Sequence, residues 1–224
     1  MAASVMNAKQ RERFKERNEA DLAYGVPGLG RFRVNVFQQR GMVGIVLRLI
    51  PLKIQTVREL NLPPVIETVA LEPRGLILVT GTTGSGKSST LAAMIDHINA
   101  NTTGHILTIE DPIEFLHRDK KCLVNQREIG VDAPSFSEAL RSALRQDPDV
   151  IMVGEMRDAT SFAAAISAAD TGHLVLSTLH TTNASQSVIR ILDFFKADDR
   201  EQIRRQLAGT LKAVICQRMV PTLQ

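Results

Sequence analysis

Aromatic side chains are scarce: the 224 residues include no Trp, a single Tyr and 8 Phe. That leaves little on which nucleic-acid bases could stack in series. Cysteine occurs twice, at Cys122 and Cys216, far apart and without a Cys-x-x-Cys pair, which argues against a disulfide framework and against a zinc module. No apolar stretch approaches the ~18 residues of a membrane span. The opening MAASVMNAKQRERFKERNEAD lacks the apolar centre of a signal sequence. The formal net charge of +3 is small and dispersed, so composition asks for neither nucleic acid nor anionic lipid. The expectation is a cytoplasmic protein with no zinc and no nucleic-acid partner.

What is there fits a globular chain with 44% hydrophobic and 23% charged residues, long enough for one large domain or two small ones. Residues 1–20 read as the end of a solvated helix. RFRVNVFQQ (31–39) and GIVLRLI (44–50) alternate polar with apolar residues, the strand period, around a turn at Gln39-Arg40-Gly41. This predicts a β-hairpin whose core is too small to stand alone. Pro51 closes it, and the proline-rich 54–74 stretch reads as a linker with one short helix.

From residue 75 the pattern changes to repeated strand–helix units. LILVT precedes a helix around Ser88–Asn99, and HILTIE (105–110) is the next strand. SFSEALRSALRQ (135–146) opens on Ser135-x-x-Glu138, a capping-box pattern. DVIMV (149–153), the Ala-rich 158–170 helix with Gly172 after it, and HLVLSTL (173–179) continue the alternation. Ile203, Leu207, Leu211, Val214 and Ile215 are expected to form one helical stripe. Apolar strands alternating with helices imply an α/β fold with a parallel sheet covered on both faces.

Between the first of these strands and its helix stands GTTGSGKSST (81–90). The spacing Gly81-x-x-x-x-Gly86-Lys87-Ser88 is that of a phosphate-binding loop. Glycines let main-chain N–H groups turn inward where side chains would clash, and the helix that follows directs its positive end at the same anion. Thr82, Thr83, Gly84, Ser85, Gly86, Lys87, Ser88 and Ser89 are therefore the nucleotide-binding set. Lys87 reaches the β- and γ-phosphates and the Ser88 hydroxyl is a ligand for Mg²⁺.

Hydrolysis also needs an acid to direct water and a group near the γ-phosphate. Three stretches at strand exits offer them, where ligands bind in open parallel sheets. ILTIEDPIEF (106–115) gathers Glu110, Asp111 and Glu114 around Pro112. DVIMVGEMRD (149–158) delivers Glu155 one step past Gly154. TGHLVLSTLHTT (171–182) brackets its strand with His173 and His180.

Together these segments resemble the secretion ATPase superfamily of type IV pili and type II secretion. That family carries a Walker A loop, an Asp box (TIEDPIEF), a Walker B segment ending in Gly-Glu (RQDPDVIMVGEMRD) and a His box (TGHLVLSTLHTT), here in family order. KKCLVNQREIG (120–130), FSEALRSALRQDPD (136–149) and LKAVICQRMVP (211–221) look like its pilus-retraction branch. The resemblance runs from about Asn7 onward. It implies a RecA-like ATPase motor domain over residues 75–224, preceded by a partial PAS-like α+β N-terminal domain over 1–53. It also implies ATP as substrate with Mg²⁺, Glu155 as the water-activating acid, and Glu110, Asp111 and chiefly Glu114 assisting Mg²⁺ and water. His180 would contact the γ-phosphate region, and Arg33, Arg40 and Arg48 would be the arginines that close over the nucleotide. Such guanidinium groups neutralise charge developing on the transferred phosphoryl. The implied assembly is a homo-hexamer acting on an inner-membrane pilus platform protein, cytoplasmic and held at the pilus base.

Against the family pattern, the residues that complete its N-terminal domain and the C-terminal AIRNLIRE motif of retraction motors are not in this sequence. The expectation is a portion of a longer motor, with ring assembly and force production left open. Three other readings compete: an extension or secretion motor of the same superfamily, which would bring a four-cysteine zinc module; a nucleic-acid translocase on a related core; and a nucleotide-binding module without turnover.

Overall fold

Two units make up the chain, and the computed structural model describes residues 2–51 and 53–220. The first comprises the chain up to Lys53 together with Pro112–Leu116; the second comprises Ile54–Asp111 and His117 onward. Pro221 to Gln224, the end of the expected motor domain, lies outside the described residues.

In the first unit two helices, α1 (Ala2–Val5) and α2 (Ala8–Arg17), precede an antiparallel sheet of β1 (Glu19–Val26), β2 (Gly30–Gln39) and β3 (Met42–Ile50). Asn7 opens α2 with a reciprocal cap: its side chain accepts from Gln10 N–H while the Gln10 side chain accepts from Asn7 N–H, each at 2.9 Å. Asn18 closes it in the left-handed region, φ 56°. The helix expected for residues 1–20 thus ends early and β1 follows, with Ala20 and Leu22 buried against Val34, Val36 and Met6. The expected hairpin is present. Arg40 and Gly41 turn it with φ of 50° and 77°, the left-handed pair that matches strand twist in a two-residue loop.

The second unit is built on six parallel strands in the order β6-β5-β7-β8-β4-β9. The strands are β4 (Gly75–Thr80), β5 (Gly104–Glu110), β6 (Cys122–Glu128), β7 (Val150–Val153), β8 (Leu174–Leu179) and β9 (Leu211–Cys216). Helices α3 (Val65–Ala70), α4 (Lys87–Asn101), α5 (Phe136–Ala143), α6 (Ala159–Asp170), α7 (Ala184–Asp193) and α8 (Arg200–Thr210) connect or cover them. All six residues of β4 are buried, because the strand feeds both faces of the sheet. Leu76 and Leu78 join Leu140, Phe162 and Ile166 on one side, and Ile77 and Val79 join Met94, Ile95 and Ile98 on the other. Val57, Ile66 and Ala70 from the proline-rich 54–74 stretch are buried in that second cluster.

One expectation is corrected. Ile203 and Leu207 do share a helix, α8, but Leu211, Val214 and Ile215 lie on β9. Leu211 and Val214 pack toward one core while Ala213 and Ile215 pack toward the other. A short apolar run satisfies helix and strand periods alike, and the open edge of β4 provides the hydrogen bonds that decide for strand.

Candidate functional site

Because the six strands are parallel, their C-terminal ends converge on one edge of the sheet. From β4 the chain passes through residues 81–86 into α4, with Gly81, Gly84 and Gly86 at φ of 150°, 80° and 89°. A Cβ at Gly81 would collide with the Gln217 carbonyl oxygen and with Ser85 Oγ, so this position admits only glycine. Helix α4 is capped by Gly86 with no side-chain acceptor among the described residues, leaving its first-turn N–H groups for an external acceptor. Lys87, 8% exposed, folds its ammonium back to donate to Gly81 O at 2.8 Å and Thr82 O at 2.9 Å. Thr82, Thr83 and Gly84 form the exposed crest; Ser88 is exposed, Ser89 half-buried and Ser85 buried. The result is a cup of main-chain donors with a cation at its mouth, chemistry suited to a chain of phosphates.

Two strands away from β4, β7 delivers Glu155 to the same edge. Neighbouring hydroxyls fix the backbone just before it. Ser177 Oγ donates to Val153 O at 2.7 Å and Thr178 Oγ1 to Gly154 O at 2.6 Å, while Gly154 N–H donates to Ile109 O at 2.8 Å. The carboxylate itself is held from two sides: Arg157 Nη2 donates to Oε2 at 2.7 Å, and His180 Nε2 lies 3.5 Å from Oε1. Burial pushes this carboxyl up, but the hydrogen bond and charge of Arg157, and then the charges of His180 and Lys87, outweigh it and the net shift is downward. Glu155 is an ionised hydrogen-bond acceptor within the field of the loop lysine.

The remaining acids divide between the two units. Glu110 is buried at the end of β5, where its Oε1 accepts from Thr108 Oγ1 at 2.7 Å and from Gln126 Nε2 at 3.2 Å. Asp111 follows it, exposed, and its charge helps hold Arg157 protonated. Glu114 belongs to the first unit, where Arg33 Nη1 lies 3.6 Å from its carboxylate. Arg33 and Arg48 stand directly opposite each other across β2 and β3. Arg40 sits at the hairpin turn, seven residues from Arg33 and about 20 Å along the strand, so the hairpin does not gather all three arginines. The histidines separate as well. His180 follows β8 at the site edge, whereas His173 precedes β8 at the opposite edge, its Nδ1 3.0 Å from Ala168 O at the end of α6.

Arg157 is a further residue at this edge that the sequence motifs do not single out. It was visible in GEMRD as a cation two residues from the acid, but only the turn after β7 brings the two side chains together.

A RecA-like sheet with a glycine loop entering its helix, and an acid on the strand beyond the adjacent one, defines the phosphate-loop class of domains. The chain belongs to the type II/IV secretion system protein family, whose pattern matches residues 31–224. It is 54% identical over 216 residues to the type IV pilus retraction ATPase PilT of Pseudomonas aeruginosa, covering 96% of this chain and 63% of that protein. A twitching motility protein of Neisseria gonorrhoeae is 50% identical over 222 residues, covering 99% and 59%. A crystal structure of the pilus retraction motor PilT with bound ADP superposes with a TM-score of 0.95 at 51% identity, covering 98% of this chain and 64% of that one. The chain thus spans less than two thirds of the length of these relatives.

Proposed function

We propose that this chain carries the ATP-hydrolysing machinery of a type IV pilus retraction motor. The observation that carries the reading is the placement of Lys87 and Glu155 on one sheet edge: a cation at the loop mouth, and an ionised acid on the strand beyond the adjacent one. The similarity to a pilus retraction ATPase and a twitching motility protein, and the ADP bound to the PilT structure, support the same reading.

In this account Thr82 to Ser89 wrap the phosphates of ATP, the main-chain N–H groups and Lys87 neutralising their charge. Glu155 accepts a hydrogen bond from the attacking water and aims its lone pair at the γ-phosphorus. The water oxygen–phosphorus bond forms as the bond to the β–γ bridging oxygen breaks, and ADP leaves with that electron pair. His180 stands beside the γ-phosphate. Exposed oxygen donors at this edge, Ser88 and Asp111, fit a hard cation. They would hold Mg²⁺, with Glu110 behind Asp111 within the sheet. Mg²⁺ when bound withdraws charge from the phosphate oxygens.

Residues 1–53 are read as part of a PAS-like domain and 54–74 as the connection to the motor domain. Arg33, Arg48 and, from the turn, Arg40 supply cations from that domain, with Glu114 holding Arg33 in place. The working form is a homo-hexamer acting on an inner-membrane platform protein from the cytoplasmic side. Phosphate release from ATP and Mg²⁺ by the purified chain tests the enzymatic part. Turnover unaffected by added DNA is expected, and a chain that neither binds nor hydrolyses ATP overturns the reading.

A further inference from the structure

Ser85 Oγ and Gln217 Oε1 are buried side-chain oxygens with no hydrogen-bond partner among the described residues, and both border the same loop. Gln217 follows the last residue of β9. Its N–H donates to Thr80 O at 2.7 Å, carrying the β4–β9 ladder up to the start of the phosphate loop. Its carbonyl oxygen and Ser85 Oγ occupy the space that a side chain on Gly81 would need. Its Nε2 lies 3.6 Å from the position of a Cβ on Gly86, the residue that opens α4. Gln217 thus borders the loop at both ends, its main-chain carbonyl beside the first glycine and its carboxamide nitrogen beside the last.

The two unpartnered groups are complementary. A hydroxyl donates and an amide oxygen accepts, and buried polar groups are rarely left unpaired in a working state. Lys87 now occupies the Gly81 and Thr82 carbonyls; an arriving phosphate chain draws that ammonium toward itself and lets the loop resettle.

We propose that Gln217 is a phosphate-binding residue of this site: with nucleotide bound, Ser85 Oγ–H donates to Gln217 Oε1, and the carboxamide so anchored donates through Nε2 to a phosphate oxygen at the Gly86 end of the loop. The inference rests on the nucleotide reading given above and adds to the main-chain cup a neutral side-chain donor from outside the loop motif. Because main-chain atoms alone hold Gln217 to Thr80, trimming the side chain leaves the strand ladder in place.

The test is titration of a fluorescent ATP analogue against the wild-type chain, Gln217→Ala, Gln217→Glu, Ser85→Ala and the Ser85→Ala/Gln217→Ala double variant, with thermal unfolding recorded for each. Gln217→Ala is expected to weaken binding about tenfold with its unfolding temperature unchanged. Gln217→Glu, which loses the donor and adds a negative charge, weakens it further. The double variant binds no more weakly than Gln217→Ala, since the two groups act as one. Wild-type affinity in Gln217→Ala, or strictly additive losses in the double variant, overturns the proposal. A wild-type chain that binds no analogue overturns the nucleotide reading together with it, a result distinct from a binding chain indifferent to Gln217.

Discussion

Glu155 and Arg157, two residues apart on the turn after β7, form a 2.7 Å charge-assisted hydrogen bond. The pair sits where the proposed reaction needs an acid that stays ionised yet accepts a water hydrogen bond. One carboxylate oxygen is taken by Arg157 and the other faces His180 at 3.5 Å. Arg157 thus sets both the direction of the carboxylate and its affinity for a proton.

That arrangement predicts a pH effect. Glu155 is held below the usual carboxylate range, the Arg157 interaction and the weaker charges of His180 and Lys87 outweighing the opposing effect of burial. A depressed carboxyl stabilises the fold above the pKa it has in the unfolded chain, and that contribution is lost as pH falls through the lower folded-state value. The part of the acidic limb of kcat/KM for ATP that Glu155 contributes is expected below the ordinary glutamate range. Arg157→Gln should move the limb upward, with rates near neutral pH changed far less than rates near the limb. A limb at the same pH in both proteins would remove Arg157 from this role.

Lys87→Ala should lower ATP affinity about 100-fold or more, the scale of two charge-assisted hydrogen bonds. The donors lost are those now directed to Gly81 O and Thr82 O. Isothermal titration with ATP and with ADP measures the loss, and unchanged affinity would separate Lys87 from phosphate binding.

Phe162 tests the packing beneath the site. It is fully buried on α6 and stacks on Phe194 with ring centroids 5.2 Å apart. Phe162→Ala should cost about 3–5 kcal/mol by denaturant unfolding. A loss below about 1 kcal/mol would mean that the helical layer on this face contributes little to holding the strand ends in place.

Much of this was legible in the sequence, and the reasons differ by element. GTTGSGKS is local chemistry: glycine spacing, lysine and helix start lie within one loop, so the cup follows from adjacent residues alone. The buried strands β4, β7 and β8 were also plain, because a run such as LILVT, short and bounded by glycine, fits a strand covered on both faces. What did not read out depends on distant partners. β1 hides behind the charged run that ends α2 and is recognisable only once paired with β2. β9 copies a helical stripe until the edge of β4 claims it. Among the site residues, Glu155 and His180 were visible as strand-exit groups and are brought together. Pairing Arg33 with Glu114 needed the chain to place residues 112–116 in the first unit. His173 and His180 already bracket β8 in the sequence, and the parallel sheet turns that spacing into opposite edges.

Glu155→Gln is the most direct test of the central claim, that an acid at the exit of β7 directs water at a phosphate chain held by the loop. The substitution keeps the shape of the side chain while removing its negative charge and turning one acceptor oxygen into an N–H donor. Measured side by side, ATP affinity should stay within about threefold of wild type while phosphate release falls by about 100-fold or more. Near-normal phosphate release by Glu155→Gln would contradict the account.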